Sequence, residues 1–128
     1  MRGKELLYMR RVKRGDVFFV QLYNKEKHVQ DGKRPCVVIQ NNKGNKFSPT
    51  IIVVPLTSKI KKTYLPVHVV LEYGAMALCE CVLTISKDQI INYVKSFDEK
   101  TMKRIDDALF ISMGFRRRKK YKKDKAVL

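Results

Sequence analysis

The sequence predicts a mixed α+β domain, mainly β: a small, strongly twisted antiparallel sheet or partly open barrel, followed by a short helix and a C-terminal helix. Three observations carry this reading. Five short apolar runs rich in β-branched residues follow one another between residues 17 and 84, divided by Gly-, Pro- and Asn-containing turns. Only beyond Ser86 does helical spacing of three and four set in. At 128 residues the chain suits one domain that buries about two-thirds of its unfolded surface.

The elements follow in order. Residues 1–12 form a basic, flexible lead-in, and the domain proper is expected over residues 13–115. Arg14-Gly15-Asp16 is a turn signal that delivers the chain into a strand, Val17–Leu22. Tyr23–Lys33 is polar and of mixed charge, a long mobile loop of the kind that carries or gates sites; it holds His28. Pro35 leads into a second strand, Cys36–Gln40. Asn41–Lys46 is a Gly-containing connection, and Phe47-Ser48-Pro49 opens the third strand, Thr50–Leu56. The run of Ile51, Ile52, Val53 and Val54 does not alternate, which implies burial on both faces.

Lys59–Tyr64 is a basic loop. Pro66–Leu71 and Ala77–Thr84 are two further strands joined at Glu72-Tyr73-Gly74. Ser86–Tyr93 reads as a short helix capped by Ser86. Ser96 and Glu99 fit a capping box for the longer helix, with Asp98 the alternative cap. Met102, Ile105, Leu109 and Met113 then form an apolar stripe, and Gly114 ends the helix. Arg116–Leu128 is a basic run without periodicity, expected to be disordered.

The net charge of +16 narrows the partner class. The tail from residue 116 supplies +7 and the rest of the chain +9, so the body itself is basic. Such a body attracts polyanions, nucleic acid above all. The longest apolar run, Ile51–Leu56, is far short of the roughly 20 residues of a membrane span, and the basic N-terminus has no apolar signal-peptide core; a cytoplasmic protein is expected. Cys36, Cys79 and Cys81 cannot all pair within one chain and form no C-x-x-C motif. Cys79 and Cys81 would share one face of a strand, and all three read as reduced, packed thiols, with no metal site.

The stretch Gln30–Ser58 is the candidate active site. Two strands paired about its polar loop would bring Arg34 and Thr57 to one end of the sheet. At that point the residues resemble a known family, the MazF/PemK toxins of type II toxin–antitoxin systems. Six segments carry the match: RGDVFFVQL (14–22), QDGKRPCVVIQNN (30–42), GNKFSPTIIVVPLTS (44–58), LPVHVVL (65–71), ALCECVLTISKDQI (77–90) and FDEKTMKRIDDALFISMGF (97–115). The Q-x-G-x-R-P box together with FSPT…LTS is the specific part.

The resemblance implies an SH3-like barrel of the CcdB/PemK type that works as a homodimer. It implies an endoribonuclease, independent of metal or other cofactor, that cuts single-stranded mRNA at a short sequence and arrests growth. A cognate antitoxin would cover the RNA groove with an acidic, disordered segment. The family's catalytic pair maps onto Arg34 and Thr57. Arg34 would hold the phosphate and stabilise its transition-state charge, while Thr57 would orient the phosphate or the 2′-hydroxyl. Lys33, Lys59, Lys61 and Lys62 are expected to contact phosphates, and Gln30, Asn41, Ser58 and Glu80 to meet bases. Two departures stand out. His28-Val29 replaces a Ser-Glu pair common in the family, leaving His28 as a possible auxiliary group. Glu80-Cys81-Val82-Leu83-Thr84 stands where many relatives read Glu-Gln-Ile-Arg-Thr. The competing readings are a non-catalytic nucleic-acid-binding barrel and a gyrase poison of the same fold.

Overall fold

Strand β1 (Asp16–Gln21) starts at a junction tied from three sides. Gly15, at φ +96°, donates its amide to the Val38 carbonyl (2.9 Å) and accepts from the Phe97 amide (2.9 Å). The buried Asp16 carboxylate accepts from the Lys13 amide at 2.9 Å and from the Ser96 hydroxyl at 2.7 Å. A side chain on Gly15 would find room beside Met102 but would strain the backbone at this φ. The Arg14-Gly15-Asp16 turn is therefore an internal clamp. The computed structural model describes residues 12–22 and 32–116. The lead-in, most of the first loop with His28 and Gln30, and the tail beyond Arg116 lie outside the described residues.

From that junction the chain builds an antiparallel sheet: β1, β2 (Lys33–Val38), β3 (Thr50–Thr57), β4 (His68–Leu71), β5 (Ala75–Leu78), β6 (Leu83–Ser86) and β7 (Ile90–Ser96). The order across it is β4-β5-β3-β2-β1-β7, with β6 also on β3, and the sheet does not close. Helix α1 (Asn42–Phe47) links β2 to β3, and α2 (Glu99–Met113) packs on one face.

Alternation along each strand separates two cores. Val17, Val37, Val54 and Leu56 meet Met102 and Ile105 of α2. On the opposite face Phe18, Val20, Cys36, Val38, Ile51 and Val53 form the second cluster. The unbroken apolar run of β3 thus buries both its faces, as its lack of alternation implies.

Four sequence expectations need correction. Residues 41–46 are mostly helix: the Asn41 side chain caps α1 by accepting the Gly44 amide (2.8 Å). The expected short helix over residues 86–93 is one 3₁₀ turn, Lys87–Gln89, and then strand β7. Its Ser86 cap is real, with Oγ accepting the Asp88 amide (3.1 Å), but the β-branched residues of Ile90-Ile91-Asn92-Tyr93-Val94 pair with β1 instead. Residues 77–84 are not one strand. The chain pairs with β3 at both ends of this stretch, yet four residues of β3, from Leu56 to Val53, are matched by seven, from Ala77 to Leu83. The surplus forms a turn that buries Cys79 and leaves Cys81 partly exposed, so the two thiols do not share a strand face. Finally, α2 is capped by Asp98, whose Oδ1 accepts the Thr101 amide at 2.9 Å, while Ser96 serves Asp16. Met102, Ile105 and Ala108 form its buried stripe, and Met113 is exposed.

Candidate active site

The β2–β3 register pairs Cys36 with Pro55 and Val38 with Val53. Carried two residues further, it sets Arg34 opposite Thr57 at one end of the sheet. Alternation also gives the two residues one face, since Arg34 follows the parity of Cys36 and Val38, and Thr57 that of Val53 and Ile51. Arg34 pairs with Val20 on its other side and is exposed. Among the described residues no carboxylate pairs with its guanidinium, so the surface ion pair that would explain it structurally is not found there. Its charge is felt beneath it: burial pushes the Cys36 thiol up to about 12, and Arg34 acts in the opposite, smaller sense.

Thr57 has a structural task. Its Oγ1 accepts the Lys59 amide at 3.1 Å, turning the chain out of β3. That bond uses one lone pair and leaves the O–H free to donate, which is what orienting a phosphate oxygen requires. Lys33 is exposed beside Arg34.

The basic residues after Thr57 form a track rather than one cluster. Lys59, Lys61 and Lys62 are exposed along residues 58–67, which run from the Thr57 end toward the start of β4. There Lys62, at φ +50°, presents its carbonyl to His68 Nδ1 (3.0 Å), and His68 Nε2 meets Glu80 Oε2 at 2.9 Å. The hydrogen bond to Glu80 raises the His68 pKa against the smaller cost of burial. Glu80, expected to read a base, has this imidazole as its partner. Asn41 lies beyond the far end of β2 from Arg34, and its side-chain oxygen is occupied as a helix cap. It contributes nothing at the Arg34–Thr57 end.

A groove of about 290 Å³ lies where the sheet fails to close. Phe19 and Leu56 line it from the sheet, Thr57 and Ser58 from one side, Tyr73 from the β4–β5 turn and Val94 from β7. Lys95 Nζ sits 4.4 Å from the centroid of the exposed Tyr73 ring. Arg34 is not among its lining residues.

Sequence reasoning missed His68, Tyr73 and Lys95. His68 sits in an alternating strand pattern that hides its two ring contacts. Lys95 belongs to β7, where the sequence suggests the end of a helix, and no local pattern marks its approach to Tyr73.

With the geometry in place, comparison with known proteins is informative. Residues 13–113 match the family described as PemK-like, MazF-like toxin of type II toxin-antitoxin system. The chain is 41% identical over 110 residues to Endoribonuclease EndoA of Bacillus subtilis, covering 80% of this chain and 95% of that protein. It is 36% identical over 110 residues to Endoribonuclease MazF of Staphylococcus saprophyticus, covering 80% and 92%. Among solved structures, an endoribonuclease in complex with its cognate antitoxin from a mycobacterial species superposes with a TM-score of 0.73 at 22% identity, covering 84% of this chain and 99% of that one. A MazE–MazF structure from Deinococcus radiodurans gives 0.69 at 16% identity, covering 82% and 97%. These likenesses show the fold, while the family match rests on the sequence. The chain belongs to the PemK-like, MazF-like toxins of type II toxin–antitoxin systems.

Proposed function

We propose that this toxin, an endoribonuclease, cuts single-stranded RNA at the Arg34–Thr57 end of the sheet, with the substrate's own 2′-hydroxyl as nucleophile. What supports the reading is the β2–β3 register, which gives a hydroxyl and an exposed guanidinium, without a carboxylate partner among the described residues, one shared face. In the reaction the 2′-oxygen bonds to phosphorus while the P–O5′ bond breaks. The proton leaves the 2′-hydroxyl, and one is delivered to the departing 5′-oxygen. Arg34 meets the charge that develops on the non-bridging oxygens, because its planar fork matches them and stays ionised. Thr57 donates its O–H to fix the phosphate for in-line attack. Products carry 2′,3′-cyclic phosphate and 5′-hydroxyl ends. Lys33, Lys59, Lys61 and Lys62 hold the RNA backbone and Ser58 a base edge, so affinity falls steeply with salt.

The same reading makes the protein a cytoplasmic homodimer, restrained by an antitoxin whose acidic, disordered segment covers the RNA groove. No helix among the described residues is long and apolar enough to cross a membrane.

The test combines a substrate and a variant. RNA with 2′-deoxyribose at the cleavage position should bind and stay intact, and its cleavage would refute the nucleophile. Arg34→Ala should lose about 10²–10³-fold in rate while remaining folded. A folded Arg34→Ala variant that still arrests growth would sink the ribonuclease reading in favour of a binding module or a gyrase poison.

A further inference from the structure

The His68 ring is held between two acceptors. The Lys62 carbonyl faces Nδ1 at 3.0 Å, and the Glu80 carboxylate faces Nε2 at 2.9 Å. A carbonyl and a carboxylate can only accept, and a neutral imidazole has one N–H. Both contacts exist together only when the ring carries two protons. The His68 side chain is itself largely covered, while Glu80 reaches it from a partly exposed position.

The ring also joins two separate pieces of chain. Lys62 belongs to the basic segment 58–67 and Glu80 to the turn between β5 and β6. The near end of the segment is fixed where Lys59 donates to Thr57 (3.1 Å), and its far end where Leu65 and His68 close on Lys62. The His68 ring thus shares the Lys62 carbonyl with the Leu65 amide, and is the side chain that ties Lys61 and Lys62 to the β5–β6 turn.

We propose that His68, as an imidazolium clamped between Lys62 and Glu80, is a positioning residue that holds Lys61 and Lys62 against the RNA backbone on the track leading from Thr57. The inference rests on the ribonuclease reading for its substrate, and on the His68 contacts alone for its mechanism. The charged and titratable groups around the ring are few. Glu80, Cys79 and Cys81 come from the turn, Lys61 and Lys62 from the segment, and Arg104 of α2 holds the neighbouring Val70 carbonyl at 2.7 Å. Both thiols titrate above their usual range, pushed up first by burial, and stay neutral near pH 7. The switching group is the ring. Its pKa is raised, so the clamp is fully present below the unfolded value and opens as pH rises through the folded one.

The experiment measures equilibrium binding of a non-cleavable 2′-deoxy-substituted RNA, in a long form and in a form too short to reach Lys61, between pH 6 and 9. The wild type should lose affinity for the long RNA as pH rises. His68→Gln should bind it about tenfold more weakly, with a profile flat in pH. Its salt slope should be smaller by about 1.4, the value for two single-strand phosphate contacts. Affinity for the short RNA should stay within twofold. Glu80→Gln keeps an acceptor but removes the charge, and should move the pH midpoint down, which separates the clamp from a merely structural histidine. Equal weakening of both RNAs, or a pH profile that survives in His68→Gln, would overturn the proposal. Because binding is read without cleavage, failure of the Arg34–Thr57 chemistry leaves this result interpretable.

Discussion

Replacing Asn45 by Leu tests whether the two ends of the sheet are independent. Asn45 is fully buried in α1, at the end away from Arg34. Its Nδ2 donates to the Gln40 carbonyl (2.9 Å) and to Asn42 Oδ1 (3.1 Å), and its Oδ1 accepts from Gln40 Nε2 (3.0 Å). Leucine has the same branching and number of side-chain heavy atoms, though bulkier ends, and makes none of these bonds. Three bonds at about 1 kcal/mol each, with the Gln40 carbonyl left without that donor, give a loss of about 3 kcal/mol. Against a typical total of about 5–15 kcal/mol this lowers Tm by about 12 °C in a domain of this size. The Lys87 Nζ bond to the Asn45 backbone carbonyl (2.6 Å) survives, so the 3₁₀ turn should stay in place. Differential scanning calorimetry reads the Tm, and cleavage at 20 °C (~40 °C below a typical melting point) reads the site. A Tm fall below about 3 °C would show that the network contributes little. Lost cleavage in a folded variant would refute the separation of the two ends.

Other outcomes follow from the same geometry. Ile105→Ala, at a position with no solvent exposure between α2 and the sheet, should cost about 2–5 kcal/mol in denaturant unfolding without changing cleavage of folded protein. In a thiol titration of native protein at pH 8, Cys36 and Cys79 should stay unreactive, since burial pushes each up to about 12; only the partly exposed Cys81 should label, slowly. All three should react in denaturant. Asp98 is held below the usual carboxylate range by the Thr101 amide, so its cap contributes stability above the unfolded pKa and loses it as pH falls through the folded one. The acid limb of a melting-temperature profile should therefore flatten in Asp98→Ala, and an unchanged limb would show the cap to be idle.

The first three strands and the placing of Arg34 opposite Thr57 were legible because they rest on local signals: apolar runs, turn residues and the RP box. What the sequence concealed was set by tertiary choice. Residues 42–47 have weak helix propensity and fold as α1 only because Asn45, Gln40 and Lys87 satisfy one another, and because Gly44 leaves room where a Cβ would stand 3.2 Å from the Gln40 side chain. Ser86 promised a helix and capped one turn of it, after which the free edge of β1 claimed the following residues as strand. The turn inside residues 77–84 reflects a three-residue mismatch along β3 that no periodicity records. Glu80 carried a site signal, but its partner, His68, lies twelve residues upstream in a strand of ordinary appearance.

The pairing of β1 with β7 joins residues 80 apart in sequence, as in the bond from Ser96 to Asp16. During synthesis the first strand is made early and completed late. Until residues 90–96 have left the ribosome, β1 has one open edge and Asp16 lacks its hydroxyl partner. Until α2 follows, the first core has no cover. A chain broken off before that point carries Arg34 and Thr57 on β2 and β3, but lacks the strand and the helix that complete the sheet and cover the first core. The last strand and helix thus decide when the first core is closed, and truncation before residue 90 should leave cleavage undetectable.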